Sequence, residues 1–466
     1  MTDFCQSFCD PCISLHNMYV PLVVGASPAC SQTQTTMEPI ERVQGYRETV
    51  ERIESTRAIL SLVDAFEGMA AKHSFEPERL APATKDPSLT LEQMGAKVEA
   101  LEQLQSSLLP CIRDQLAALV GSLDLIDPKK TDTPRTEPTR ELLSGLDKTL
   151  ESTVAAVVCL TLHSPLPDEK HDHGLERLKV FRCAHLREKI QLVVSAIICE
   201  RLFRDDIPSF IRWCAMANIL DEYHPISTEG SDLRKGIQIT MAYPPRILDQ
   251  TIAWCRKSDW ALVHEAWLKA AESTDEVLET FVHIVHPMIQ SPSQADDPPP
   301  SADDGQRDPS RRLIAEPVKS AIPLTKLARI LLKKTSAELA KKRLSSASGA
   351  TVELTSETMA RLYEAPQAVF RLQHLASLLS VLDRPAGAVE HRANIRMALQ
   401  TVPEAMAAAL AALDACLLPL LGPTAQRSSD TYPSSFLPLF KQSWETASDH
   451  SGSLILSFEA AQLAIQ

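Results

Sequence analysis

Three cysteines near the start of the chain, Cys5-x3-Cys9-x2-Cys12, have the spacing with which three thiolates hold a four-iron cluster in radical SAM enzymes and leave one iron open. That motif normally follows a strand of an α/β barrel, and the chain shows no strand–helix alternation. A cysteine-rich tail is therefore the preferred reading, with palmitoylation as the alternative. Asp168-Glu-Lys-His-Asp-His173 gathers imidazoles and carboxylates in one loop. Zinc accepts His171 and His173, but no third ligand is identifiable, and a solvated polar loop is preferred. Glu279, His283 and His286 fall at i, i+4 and i+7 of one helix face, a spacing compatible with a metal. Neither H-E-x-x-H nor Glu-x-x-His surrounds them. Histidines at a helix C-terminus complement its dipole, so the capping role is favoured over ligation. His264-Glu265 lacks the second histidine of a zincin motif. G-x-G-x-x-G, Walker, G-x-S-x-G and kinase signatures do not occur. The sequence thus assigns no catalytic residue and no cofactor.

The strongest charge feature is Arg311 to Arg343, with ten basic and two acidic residues in a chain of net charge −13. Leu324, Leu327, Ala328, Leu331 and Thr335 lie on one helix face, and Lys326, Arg329 and Lys333 lie opposite. The plain reading is a bundle helix with a solvated basic side. The sharper readings are an acidic protein partner, an anionic membrane or a nuclear-import signal, with Lys326, Arg329 and Lys333 as the contact residues.

Helices must position these residues. Glycine is scarce, 14 of 466, and aromatics are 5%, whereas hairpins need glycine turns and strands favour aromatic and β-branched residues. The composition predicts an all-α protein. The first helix runs from about Pro39 to Lys72, with Ile40, Val43, Val50, Ile53, Leu60 and Val63 on one face. Pro110 kinks the second helix. The fourth, Leu175 to Phe203, is apolar on all sides at Leu192–Cys199 and central in its bundle. Trp213, Trp254, Trp260 and Trp267 read as one aromatic core layer of the N-terminal half, with a binding groove as the alternative. Ala405 to Leu421 is apolar but carries Asp414 and Pro419, so it reads as a buried helix rather than a span.

These elements predict two antiparallel helical bundles joined by an acidic Pro-rich linker. Residues 1–36 form a disordered Cys/Ser/Thr-rich lead-in, 37–289 the N-terminal bundle, 290–316 the linker and 317–466 the C-terminal bundle. The linker alternatively reads as a long loop inside one bundle. Eleven cysteines, mostly in apolar helical stretches, read as buried free thiols of a reducing compartment. The first basic residue is Arg42, which does not suit a secretory signal or a transit peptide. Net acidity works against generic nucleic-acid binding.

Pro323-Leu-Thr-Lys-Leu-Ala-Arg-Ile-Leu-Leu-Lys-Lys334 resembles a recurring helix of all-helical fungal protein families found in rust-type fungi. Tyr432-Pro-Ser-Ser-Phe-Leu-Pro-Leu-Phe-Lys-Gln-Ser-Trp-Glu-Thr-Ala447 resembles their terminal helix. The layout is more distantly similar to cyclin-D-binding helical-bundle proteins, a resemblance that implies partner binding. The expectation is a cytoplasmic or nuclear interaction protein without catalysis that binds a protein partner through exposed helix faces. The alternatives are an enzyme or carrier with a site inside a bundle, for which Glu279, His283 and His286 are the candidates, and a peripheral membrane protein.

Overall fold

A computed structural model describes residues 39–74, 85–123, 125, 135–219, 226–289, 309–346, 353–382, 392–421 and 436–463. The fold is all-α, and the chain divides into two compact helical units that interleave in sequence. The first takes residues 1–76, 108–154 and 191–248; the second takes 77–107, 155–190 and 249–466. The acidic segment 290–308 lies outside the described residues, as does the cysteine-rich segment 1–38.

In the first unit, α1 (Pro39–His73) packs on a π-helical stretch (Leu192–Asp206) and on α6 (Ile207–Ile219). Phe66 meets Phe203 edge to face at 5.2 Å between ring centroids. The π stretch buries Val193, Val194, Ile198, Cys199, Leu202 and Phe203, but Ala196 is exposed and Leu192 and Ile197 are half-buried, so the apolar run is covered on one side rather than all round. The first-helix stripe fares differently. Val50, Ile53 and Leu60 are exposed, and the buried face is Ile59, Leu62, Val63, Phe66, Met69 and Ala70. A five-residue π turn (Leu104–Leu108) precedes α3 (Leu109–Ser122), which has Pro110 in its first turn. In a first turn the missing N–H of proline costs no α-helical hydrogen bond, and the expected kink coincides with a widened turn just before it.

Helix α7 (Ile226–Met241) had no forecast, since its sequence is polar and holds Gly230 and Gly236. A Cβ at Gly230 would come within 2.2 Å of the Trp213 ring, so close approach of α6 and α7 requires glycine there. Trp213 is half-buried and stacks on Phe210 at 6.0 Å.

The second unit is organised by α9 (Asp259–Ile289), which packs along α10 (Pro309–Ser346), α11 (Ser356–Glu364) and α12 (Ala368–Leu382). The helices on either side of the acidic segment therefore lie against one another. A 3₁₀ step at Ala365–Gln367, set by Pro366, separates α11 from α12. Further on, α13 (Arg392–Ala412) packs on α12, and α15 (Phe436–Leu463) packs on α10. Trp267 is fully buried and donates its indole N–H to the Leu362 carbonyl at 2.8 Å. Trp254 and Trp260 are also buried.

The stretch Gln400–Leu420 is long and apolar enough to cross a membrane by composition. Val402, Met406, Ala409, Leu410, Leu413 and Leu417 form a buried face on it, and Asp414 pairs with Lys441. Lys85–Asp86 and Leu166–Pro167 form a two-residue parallel ladder, β1 and β2.

Candidate functional site

The start of α5 (Val180–Gln191) is shaped by buried charge rather than by helix propensity. The forecast helix from Leu175 is interrupted. His173–Leu178 forms a 3₁₀ segment in which Glu176 takes φ 47°, a region disfavoured for a residue with a side chain. Lys179 is extended before the helix begins. Asp172, 1% exposed, accepts from Val180 N at 2.9 Å and from Ser356 N at 2.8 Å, and also from Ser356 Oγ. Phe181 N in turn donates to Ser356 Oγ at 2.8 Å. One carboxylate and one hydroxyl thus cap two helix N-termini at once, those of α5 and α11, where orphan N–H groups need acceptors.

At the same helix start, Lys179 and Arg182 share a single carboxylate. Lys179 Nζ, 1% exposed, donates to Asp259 Oδ2 at 2.6 Å and to the Leu354 carbonyl at 2.7 Å. Arg182, 3% exposed, donates to Asp259 Oδ1 at 2.9 Å and to the carbonyls of Lys257 and Cys255 at 2.9 and 2.8 Å. Its guanidinium also lies 5.5 Å from the Trp254 ring centroid. Burying a cation is costly unless it is paired and hydrogen-bonded, and both conditions are met here.

Around this junction opens a cleft of about 340 Å³. Five cations and three acids line it. Lys179 and Arg182 are neutralised by Asp259, and Lys257 pairs with Glu265 at 2.5 Å. Arg177, half-buried, and Arg256, exposed, have no acidic partner among the described residues. Glu176 and Glu353 share the rim. Trp260 lines the cleft and keeps its indole N–H buried without an acceptor among the described residues. The arrangement offers charge and donors to an anionic group. The nearby thiols are poor nucleophiles: burial pushes Cys183 up to about 12 and Cys255 up to about 11.

The residues singled out in the sequence lie elsewhere. Leu324, Ala328, Leu331 and Thr335 are buried in α10 and Leu327 is half-buried; on the other face Lys326 and Lys333 are exposed and Arg329 is half-buried. Two of the three cations already have a partner within the chain. Arg329 Nε lies 2.5 Å from Asp275 Oδ1, without hydrogen-bond alignment, and Lys333 Nζ lies 3.2 Å from Asp275 Oδ2. Glu279 and His283 are both exposed on α9, and the His286 side chain lies outside the described set. Among the described residues no three His, Cys, Asp or Glu side chains are grouped to hold a metal. His171 is exposed and pairs with Asp168 at 3.0 Å, while Asp172 between the two histidines is buried. His264-Glu265 lies in the second turn of α9, where Glu265 holds Lys257.

Sequence reasoning missed Asp172, Lys179, Arg182, Asp259 and Ser356. The local signal available was Thr355, whose hydroxyl caps α11 by accepting from Thr358 N. Ser258 likewise accepts from Ala261 N at the start of α9.

Two family models match the chain, each a domain of unknown function: DUF8723 over residues 97–256 and DUF8721 over residues 258–452. No curated protein and no solved structure matches it. The two matched stretches meet at Lys257, and the buried junction draws on both. Asp172, Lys179 and Arg182 come from the first, Asp259 and Ser356 from the second.

Proposed function

We propose that the chain is a non-catalytic helical interaction protein of the cytoplasm or nucleus, and that its protein partner presents an acidic segment. The observation that carries this reading is the pair Arg177 and Arg256 beside a cleft whose deeper cations are already neutralised. A carboxylate arriving there meets guanidinium groups that need not be released from another acid, and Arg engages carboxylates in fork geometry. Lys326 on α10 is a second exposed cation, and Arg329 and Lys333 share one carboxylate, so that face retains positive charge. The cleft is favoured over it because concave, partly desolvated surfaces strengthen charge recognition.

The test begins with affinity purification of the tagged protein from its native cells. It is followed by titration of a labelled Asp/Glu-rich peptide from the partner found. The expected result is that Arg177→Glu with Arg256→Glu weakens binding at least about tenfold and that salt weakens the unaltered protein. Binding that survives this reversal but is lost on reversing Lys326, Arg329 and Lys333 would move the site to α10. A protein that purifies alone, with stoichiometric metal or a small molecule, would overturn the reading in favour of a carrier or enzyme.

A further inference from the structure

Helix α1 carries two apolar stripes. One is the buried face from Ile59 to Ala70. The other runs through Tyr46, Val50, Ile53 and Leu60, which are 74%, 36%, 57% and 42% exposed. Their steps of four, three and seven are those of a coiled-coil seam, with Arg57 at the remaining position. At about 100° per residue the two stripes lie roughly 150° apart, so packing of one leaves the other facing away. From Tyr46 to Ser55 no described side chain is buried. A helix of about three turns without a packed face is marginal in water, so this stripe calls for a cover.

We propose that the cover is a second copy of the chain, with the two α1 helices antiparallel. The charges on the helix choose this occupant. When Val50 faces the partner's Ile53, Tyr46 faces the partner's Arg57, a cation over an aromatic ring, and the two-fold axis repeats each contact. Flanking the seam, Arg47 then lies beside the partner's Glu54, and Glu54 beside the partner's Arg47. A parallel pair would instead stack Arg57 on the partner's Arg57. Arg47 now pairs with Glu51 at 3.3 Å, with both side chains mostly in water, so exchanging that contact costs little. The stripe is complementary to itself in one orientation, which an unrelated partner would not require.

Sedimentation velocity of the full chain over a concentration series tests this. The expected species is a dimer of twice 51.3 kDa, and Ile53→Glu reduces it to 51.3 kDa. Ile53 is already exposed, so that variant keeps its helical circular-dichroism spectrum and a cooperative melt, which separates lost association from lost folding. Glu54→Arg sets Arg against Arg and raises the dimer dissociation constant about tenfold. Arg47→Glu combined with Glu54→Arg restores it to within about threefold. A monomer at every concentration, or a dimer that survives Ile53→Glu, overturns the proposal. A dimer indifferent to the Glu54 change, or not rescued by the double swap, overturns the antiparallel register. A monomer whose stripe is protected from hydrogen exchange assigns the cover to the chain's own residues and overturns it as well.

Discussion

Helix α9 contains two aspartates that each serve two cations, and their settings could hardly differ more. Asp259, at its first residue, holds Lys179 and Arg182, whose side chains are 1% and 3% exposed. Asp275, four turns on, holds Arg329 and Lys333, whose side chains are 42% and 49% exposed. Each constellation is one carboxylate between an arginine and a lysine. In the first, both cations have left water and their shared carboxylate is mostly buried. In the second, water supplies whatever the partner does not. Coulomb attraction is present in both, but the cost of losing it depends on what replaces the missing partner. The buried junction is therefore expected to govern stability, and the exposed one to leave its cations available for recognition.

The largest expected effect follows from removing the buried carboxylate. Asp259→Ala leaves Lys179 Nζ with only the Leu354 carbonyl and Arg182 with only backbone carbonyls. Destabilisation of about 3–5 kcal/mol is expected, read as a shift of the urea midpoint. An effect below about 1 kcal/mol would mean that water reaches the junction, and the contrast with Asp275 would disappear. Ser356→Ala comes next. Its hydroxyl accepts from Phe181 N and donates to Asp172, so its loss strands a buried amide, and about 1–3 kcal/mol is expected in the same measurement.

Lys97 sharpens the comparison from the opposite side, because it is a buried cation with no carboxylate partner among the described residues. It is 4% exposed, and its Nζ reaches the Leu160 carbonyl at 3.3 Å. Burial holds its pKa below the ordinary 10.5. Between that lowered value and 10.5 the unfolded chain binds more protons than the folded one, so stability rises with pH across this window and the penalty returns as pH falls. Lys97→Met is expected to stabilise the protein by on the order of 1 kcal/mol at pH 7 and to flatten that alkaline rise. Denaturation at pH 7 and pH 10 checks it; a destabilised variant would show that the carbonyl contact outweighs desolvation.

What was legible in the sequence was local. The apolar spacing of Leu324, Ala328 and Leu331 fixed which side of α10 is buried. The candidate site was not legible for a topological reason. Asp172 and Ser356 are 184 residues apart and Lys179 and Asp259 are 80 apart, so no spacing rule connects them. The loop containing Asp172 has a polar composition, and composition cannot say which acid turns inward. In α1 the stripe was visible but its direction was not. Two apolar faces compete for one core, and only packing against Phe203 and its neighbours selects the face with Phe66. Similarly, the basic side of α10 was visible, but the Asp275 that occupies two of its cations sits on another helix.

The smallest expected effect lies at Asp275. Asp275→Ala frees Arg329 and Lys333, both roughly half in water, so the stability change should stay within about 1 kcal/mol. Its consequence belongs to recognition. If α10 receives an acidic partner, removing the competing carboxylate should tighten binding and steepen its salt dependence, because two more cations meet the ligand unpaired. If the cleft at Arg177 and Arg256 is the docking surface, the same substitution should leave affinity for the acidic peptide unchanged. Titration of that peptide against Asp275→Ala at two salt concentrations reads the difference directly. A variant that loses more than about 2 kcal/mol would show the Asp275 pair to be structural, and the division of labour between the two aspartates would fail.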